Sequence, residues 1–81
     1  MTLSEKEIQK QIDKIGEKIV SLRLEKGLKQ FELADKLNIS ESSLLRIEKG
    51  RTNPTYRTLA LIANALDLSL IELINIETNQ K

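Results

Sequence analysis

"QFELADKLNISESSLLRIEK", Gln30 to Lys49, decides the fold. Leu33, Ala34 and Leu37 share one helical face, and Leu44 and Ile47 share another, by the spacing of three and four that a helix requires. Too few residues separate these two helices for anything but a sharp turn, so they cross steeply and touch near the joint. Ala34 is small enough to allow that approach. Asn38 stands where the chain turns, and asparagine tolerates the left-handed backbone better than any residue but glycine. Ile39 plugs the gap beneath the turn, and Ser40 can cap the helix that follows. Leu44 and Ile47 complete a small core. Ser40, Glu41, Ser42, Leu45 and Arg46 are left on a mixed outer face that packing alone does not need.

Outward from this unit, the spacing predicts helices and no strand. Ser4 and Glu7 have the separation of a capping box, and Ile8, Ile12, Ile15, Ile19 and Leu22 form one stripe, so a first helix spans about 4–26 with Gly27 as its stop. The next two cover about 30–37 and 41–49, the second stopped by Gly50. Asn53-Pro54 breaks the chain, because the residue before proline avoids helical angles. A fourth helix begins near Thr55 or Tyr56 and buries Leu59, Ile62, Ala63 and Leu66. A fifth follows Ser69, which has capping-box spacing to Glu72, and carries Leu70, Leu73 and Ile74. The expectation is an all-α, five-helix domain over 1–76 with a polar tail at 77–81.

Composition narrows the chemistry. The 81 residues include no Cys and no His, which removes the thiol nucleophile, the thiolate metal site and the usual base at neutral pH. The acidic pairs Glu5/Glu7 and Glu32/Asp35 lie on exposed helix faces with no metal-ligand partner or phosphate loop. No enzyme, cofactor, metal or small-molecule ligand is expected. No apolar run is long enough to span a bilayer and the N-terminus has no signal-peptide core, so a cytoplasmic protein without a membrane role is expected. Phe31 and Tyr56 are the only aromatics, so the core must be Leu, Ile and Ala. The net charge is +1 overall, but residues 21–57 carry eight Lys or Arg against five acids. A basic patch on a near-neutral chain fits a partner met on one face.

The helix pair is a helix-turn-helix, and with "LRLEKGLKQFELADKLNIS", "RIEKGRTNP" and "LALIANALDLSLIELI" the chain resembles the lambda-repressor-like (Cro/cI-type, XRE) family over about residues 15–74. Three positions depart from it. Lys29 stands where the family often has Ser or Thr, and Asn38 and Asp67 stand where it often has Gly. The resemblance implies a regulator of transcription, most simply a repressor, that binds double-stranded DNA with the helix after the turn in the major groove. Mapped residue by residue, Ser40, Glu41, Ser42, Leu45 and Arg46 would face the bases. Arg46 can hold guanine with two hydrogen bonds or clamp a phosphate, Glu41 can accept from cytosine, and Leu45 can meet a thymine methyl. Gln30, Ser43, Lys49, Arg51, Thr52, Asn53 and Arg57 would contact the backbone. Glu48 is read as structural, paired with Arg23 or a backbone donor.

Two further expectations concern assembly. One recognition helix reads few base pairs, so a homodimer on a palindrome is expected, with Leu70, Ile71, Ile74 and Ile76 as its interface or as closure of the monomer core. Ile8 and Ile12 lie two turns beyond the family's usual start near Ile15. They should be covered by Ile71 or Ile74 of the same chain, or by a second subunit. The alternative function is a protein-interaction module, antitoxin-like or otherwise free of DNA, on the same fold.

Overall fold

The computed structural model describes residues 2–75. Ile76 and the tail at 77–81 lie outside the described residues. Five helices follow in order: α1 (Glu5–Glu25), α2 (Gln30–Leu37), α3 (Glu41–Glu48), α4 (Tyr56–Ala65) and α5 (Leu70–Ile74). The expected bounds hold to within a residue or so, because each start is written locally. Ser4, Ser40, Thr55 and Ser69 each accept from the backbone N–H three residues on, and the Ser4 and Ser69 backbone N–H groups donate in return to the Glu7 and Glu72 carboxylates. Lys29 has no acceptor to offer α2. Glu32 supplies half of the motif instead, accepting from the Lys29 N–H at 2.7 Å.

The stops are equally local. Gly27, Asn38, Gly50 and Asp67 all have positive φ, between 57° and 70°. After each, the next N–H returns to the carbonyl five residues back: Leu28 to Arg23, Ile39 to Ala34, Arg51 to Arg46 and Leu68 to Ala63, at 2.8–3.0 Å. This closure needs a left-handed residue at the helix end. Asn38 and Asp67 therefore do the work of the glycines that the family often has there.

Each helix delivers an apolar side chain to one centre. Ile19, Leu33, Leu44, Ile62 and Leu73 are each fully buried, with Leu66 at the end of α4 beside them. Phe31 and Tyr56 stay exposed, so the core is aliphatic as expected. α2 packs on α3 and α4, α1 on α3 and α5, and α4 on α5. Gly16, within the α1 stripe, lets α1 approach α3: a Cβ there would overlap the Glu48 carbonyl oxygen and sit 2.8 Å from that of Ile47. Lys18 reaches across to the last carbonyls of α5, donating to Glu72 O and, at 2.8 Å, to Asn75 O, where a cation also suits the helix dipole.

α1 is 21 residues long, about 31 Å at 1.5 Å per residue. Its extra turns do not meet the expected neighbour. Ile12 is half-buried beside Ile15, Ile47, Pro54 and Leu59, facing the end of α3 rather than α5. Ile8 remains 38% exposed and Ile71 74% exposed. Ile74 does lie against α1, but beside Lys10, Gln11 and Lys14, which occupy a different face of that helix. No helix among the described residues is long and apolar enough to cross a membrane.

Candidate nucleic-acid interface

α3 divides cleanly into two faces. Leu44, Ile47 and Glu48 are buried, while Glu41, Ser42, Leu45 and Arg46 are exposed. Leu45 is 39% exposed, a large apolar side chain left in solvent on a helix that already has a core face. Ser40 is exposed too, but its hydroxyl is occupied as the cap: it accepts from Ser43 N at 3.0 Å and donates to Ser43 Oγ at 2.9 Å. Any base contact by Ser40 competes with that role.

The inner face is held by a buried ion pair. Arg23 donates from Nε to Glu48 Oε2 at 2.8 Å and from Nη2 to Oε1 at 3.3 Å, and from Nη1 to the Leu28 carbonyl at 3.0 Å. Gln30 donates from Nε2 to Glu48 Oε1 at 2.9 Å. Both carboxylate oxygens of Glu48 are thus engaged, which is the condition for a buried carboxylate to be tolerable. The expected pairing of Glu48 with Arg23 is present. Gln30, read from the sequence as a backbone-contacting residue, has its side-chain amide turned inward to Glu48 in this state.

Beside the outer face, two notches bring sequence-distant residues together. Ser43, Arg46, Thr52 and Asn53 line the first, with Thr55 and Thr58 from the start of α4, above an apolar floor that includes Ile39 and Pro54. Lys49, Gly50, Arg51, Thr52 and Asn53 line the second with Gln9 of α1. Arg57 is exposed on the first turn of α4. Thr55, Thr58 and Gln9 were not singled out from the sequence. Thr55 had a signal in its capping position before α4, whereas nothing local to Gln9 marks it.

A small outward helix face with exposed hydroxyls, a guanidinium and a carboxylate, flanked by cations and amides from the following loop, has the donors and acceptors for base edges and phosphates. The helix-turn-helix family model HTH_3 matches residues 19–73. This chain belongs to the HTH_3 helix-turn-helix family.

HTH_3 relatives come from phage and bacteria. The chain is 39% identical over 64 residues to an immunity repressor protein of Bacillus phage phi105, covering 79% of this chain and 44% of that one. It is 42% identical over 60 residues to an uncharacterized HTH-type transcriptional regulator, y4dJ, of Sinorhizobium fredii, covering 74% and 78% of the two chains. The chain therefore spans under half the length of the phage protein and most of the second. Among solved HTH_3-like structures, the restriction-modification controller protein C.AhdI of Aeromonas hydrophila matches with a TM-score of 0.74 at 32% identity, over 76% of this chain and 94% of that one. The clp gene regulator ClgR of C. glutamicum matches with a TM-score of 0.77 at 28% identity, over 80% and 83%. The family match begins at residue 19, so the first turns of α1 lie outside it.

Proposed function

We propose that this chain is a sequence-specific double-stranded DNA-binding regulator, acting as a repressor, with α3 as the recognition helix. The observation that carries the reading is the division of α3. Glu41, Ser42, Leu45 and Arg46 are exposed while the same helix is anchored by Leu44, Ile47 and Glu48. In this reading Arg46 contacts guanine, Glu41 a cytosine amino group and Leu45 a thymine methyl. Ser42 serves as a versatile donor and acceptor. Ser43, Lys49, Arg51, Thr52, Asn53 and Arg57 hold phosphates and set the register. Gln30 contributes through the start of α2 rather than through its side chain. The names of a phage immunity repressor and a restriction-modification controller among the related proteins support regulation as the role.

The reading extends to a homodimer on a two-fold-symmetric operator, since one helix of eight residues reaches only a few base pairs. Leu70 and Ile74 are half-buried on the monomer core, so Ile71 is the residue of the expected interface most available to a partner. Tyr56 and Leu61 of α4, at 73% and 44% exposure, are the large side chains that the adjoining helix leaves in solvent.

In vitro selection from random duplexes tests this, run on the protein and on Arg46→Ala side by side. The expected product is a symmetric enriched site that Arg46→Ala relaxes at one position per half-site, with a cost of about 1–3 kcal/mol there. No enrichment at low salt would overturn the reading and direct attention to protein partners.

A further inference from the structure

The first turns of α1, outside the family match, hydrogen-bond through Gln9 to the loop that follows the recognition helix. Gln9 Nε2 donates to the carbonyl oxygen of Gly50 at 2.8 Å and to Asp13 Oδ1 at 2.8 Å. The Gly50 carbonyl belongs to the same peptide unit as the Arg51 N–H. That N–H donates to the Arg46 carbonyl at 2.8 Å. The Gly50–Arg51 peptide is therefore pinned at both ends, by the recognition helix on one side and by α1 on the other. Two dihedral angles per residue are all that a backbone can vary, so a peptide plane fixed at both ends fixes where the next residue departs. Arg51, Thr52 and Asn53 leave from this plane and line the notch with Gln9.

Nearby geometry holds the same contact in register. Gly50 is buried with φ +70°, and a Cβ there would overlap the Asp13 carboxylate and come within 3.3 Å of its Cα. The loop and α1 are thus in direct backbone apposition, and Asp13 in turn orients the Gln9 amide. Gly16, one turn on, keeps α1 equally close to the end of α3.

We infer that Gln9 is a positioning residue for DNA binding: by pinning the Gly50–Arg51 peptide, it aims Arg51 at the phosphate backbone. The inference rests on the DNA-binding reading above, and it assigns the extra turns of α1 a role in recognition without contact to the nucleic acid. In this role Gln9 reads no base, so it acts on affinity for all sequences alike, through Arg51.

The test uses Gln9→Met, which keeps the length of the side chain and removes the donor, with Arg51→Ala and the double variant completing a cycle. Amide hydrogen exchange of the free protein comes first, since it needs no DNA. Arg51 N–H exchange should accelerate in Gln9→Met while the protection of core amides in α2 and α4 stays as in the parent. Unchanged exchange at Arg51 overturns the inference whatever DNA does. Binding is then read by fluorescence anisotropy on the selected duplex and on a scrambled one, across a salt series. Gln9→Met should weaken both about three- to ten-fold, the range a single hydrogen bond supports. The salt dependence should become shallower by about one phosphate contact. The double variant should bind no more weakly than Arg51→Ala alone. Additive losses in the cycle, or a loss confined to the selected duplex, would overturn the inference. If the parent protein binds neither duplex, the DNA-binding reading fails and takes this one with it, even where the exchange result holds. A second variant, Gln9→Ala, should behave as Gln9→Met does, and a collapse of core protection in both would overturn the positioning role in favour of a purely structural one.

Discussion

Glu48 shows how much can hang on one side chain. It accepts from Arg23 and Gln30, so it ties α3 to α1 and to the first turn of α2. Truncating one member of a buried ion pair leaves the other charge unsolvated and typically costs about 3–5 kcal/mol. Glu48→Ala should lower the urea midpoint by a corresponding amount, and pairing it with Arg23→Met should recover part of the loss by removing the stranded guanidinium. Gly16 is the other such position. Its Cβ would collide with backbone carbonyls of Ile47 and Glu48, which cannot swing aside as a side chain would. Gly16→Ala gains helix propensity but must push α1 off α3, and overpacking of this kind costs about 1–3 kcal/mol. Thermal unfolding should show a clear destabilisation. A neutral or raised Tm would mean that the helices part freely at this crossing.

Among the helices, starts and stops are settled by short-range chemistry. α1 illustrates it at its exposed end, where the Ser4 backbone N–H and hydroxyl hold the Glu7 carboxyl below the usual carboxylate range, with a smaller contribution from Lys10. A carboxylate with a depressed folded pKa contributes stability above its unfolded value and loses it as pH falls through the folded one. The first turn of α1 should therefore loosen on acidification below about pH 4, and the Ser4 amide resonance should report it with a midpoint under the ordinary glutamate value. Glu7→Gln should abolish that titration. An ordinary midpoint would show that the box is open in solution. α5 stands at the opposite extreme. Five residues cannot sustain a helix in water, so α5 exists because Leu73 is buried and Lys18 caps its last carbonyls.

Taken as one body, the molecule has its candidate DNA face on α3 and the following loop, and uncovered apolar side chains on α4 and α5. The two-fold assembly proposed above makes a prediction that separates folding from pairing. Ile71 is 74% exposed, so Ile71→Lys should leave the helix content of the folded chain unchanged, with any fall in Tm limited to the concentration-dependent share that pairing contributes. It should shift sedimentation to the monomer and weaken binding to a two-half-site duplex by about 10²-fold, the loss expected when linked binding becomes independent. Affinity for an isolated half-site should not move. A dimer that survives Ile71→Lys would place the interface elsewhere.

Five helices, the left-handed turn at Asn38 and the outward face of α3 were legible in the order of residues, for one physical reason. Caps, left-handed stops and three-and-four spacing are satisfied within a few residues of the chain, so Ser40, Asn38, Leu44 and Arg46 declare their places locally. The Arg23–Glu48 pair was also within reach, because an acid on the core face of a helix must find a cation. Other features depend on the angle and depth at which distant helices meet. That Gln30 turns inward to Glu48 follows from how α2 meets α3, and that Ile12 faces Ile47 and Pro54 instead of α5 and that Gln9 reaches Gly50 across 41 residues of chain are consequences of how α1 crosses α3. Gly16 sets that crossing. A glycine inside a long periodic helix was the one local hint of it, but what it approaches is settled only when the two backbones come into contact.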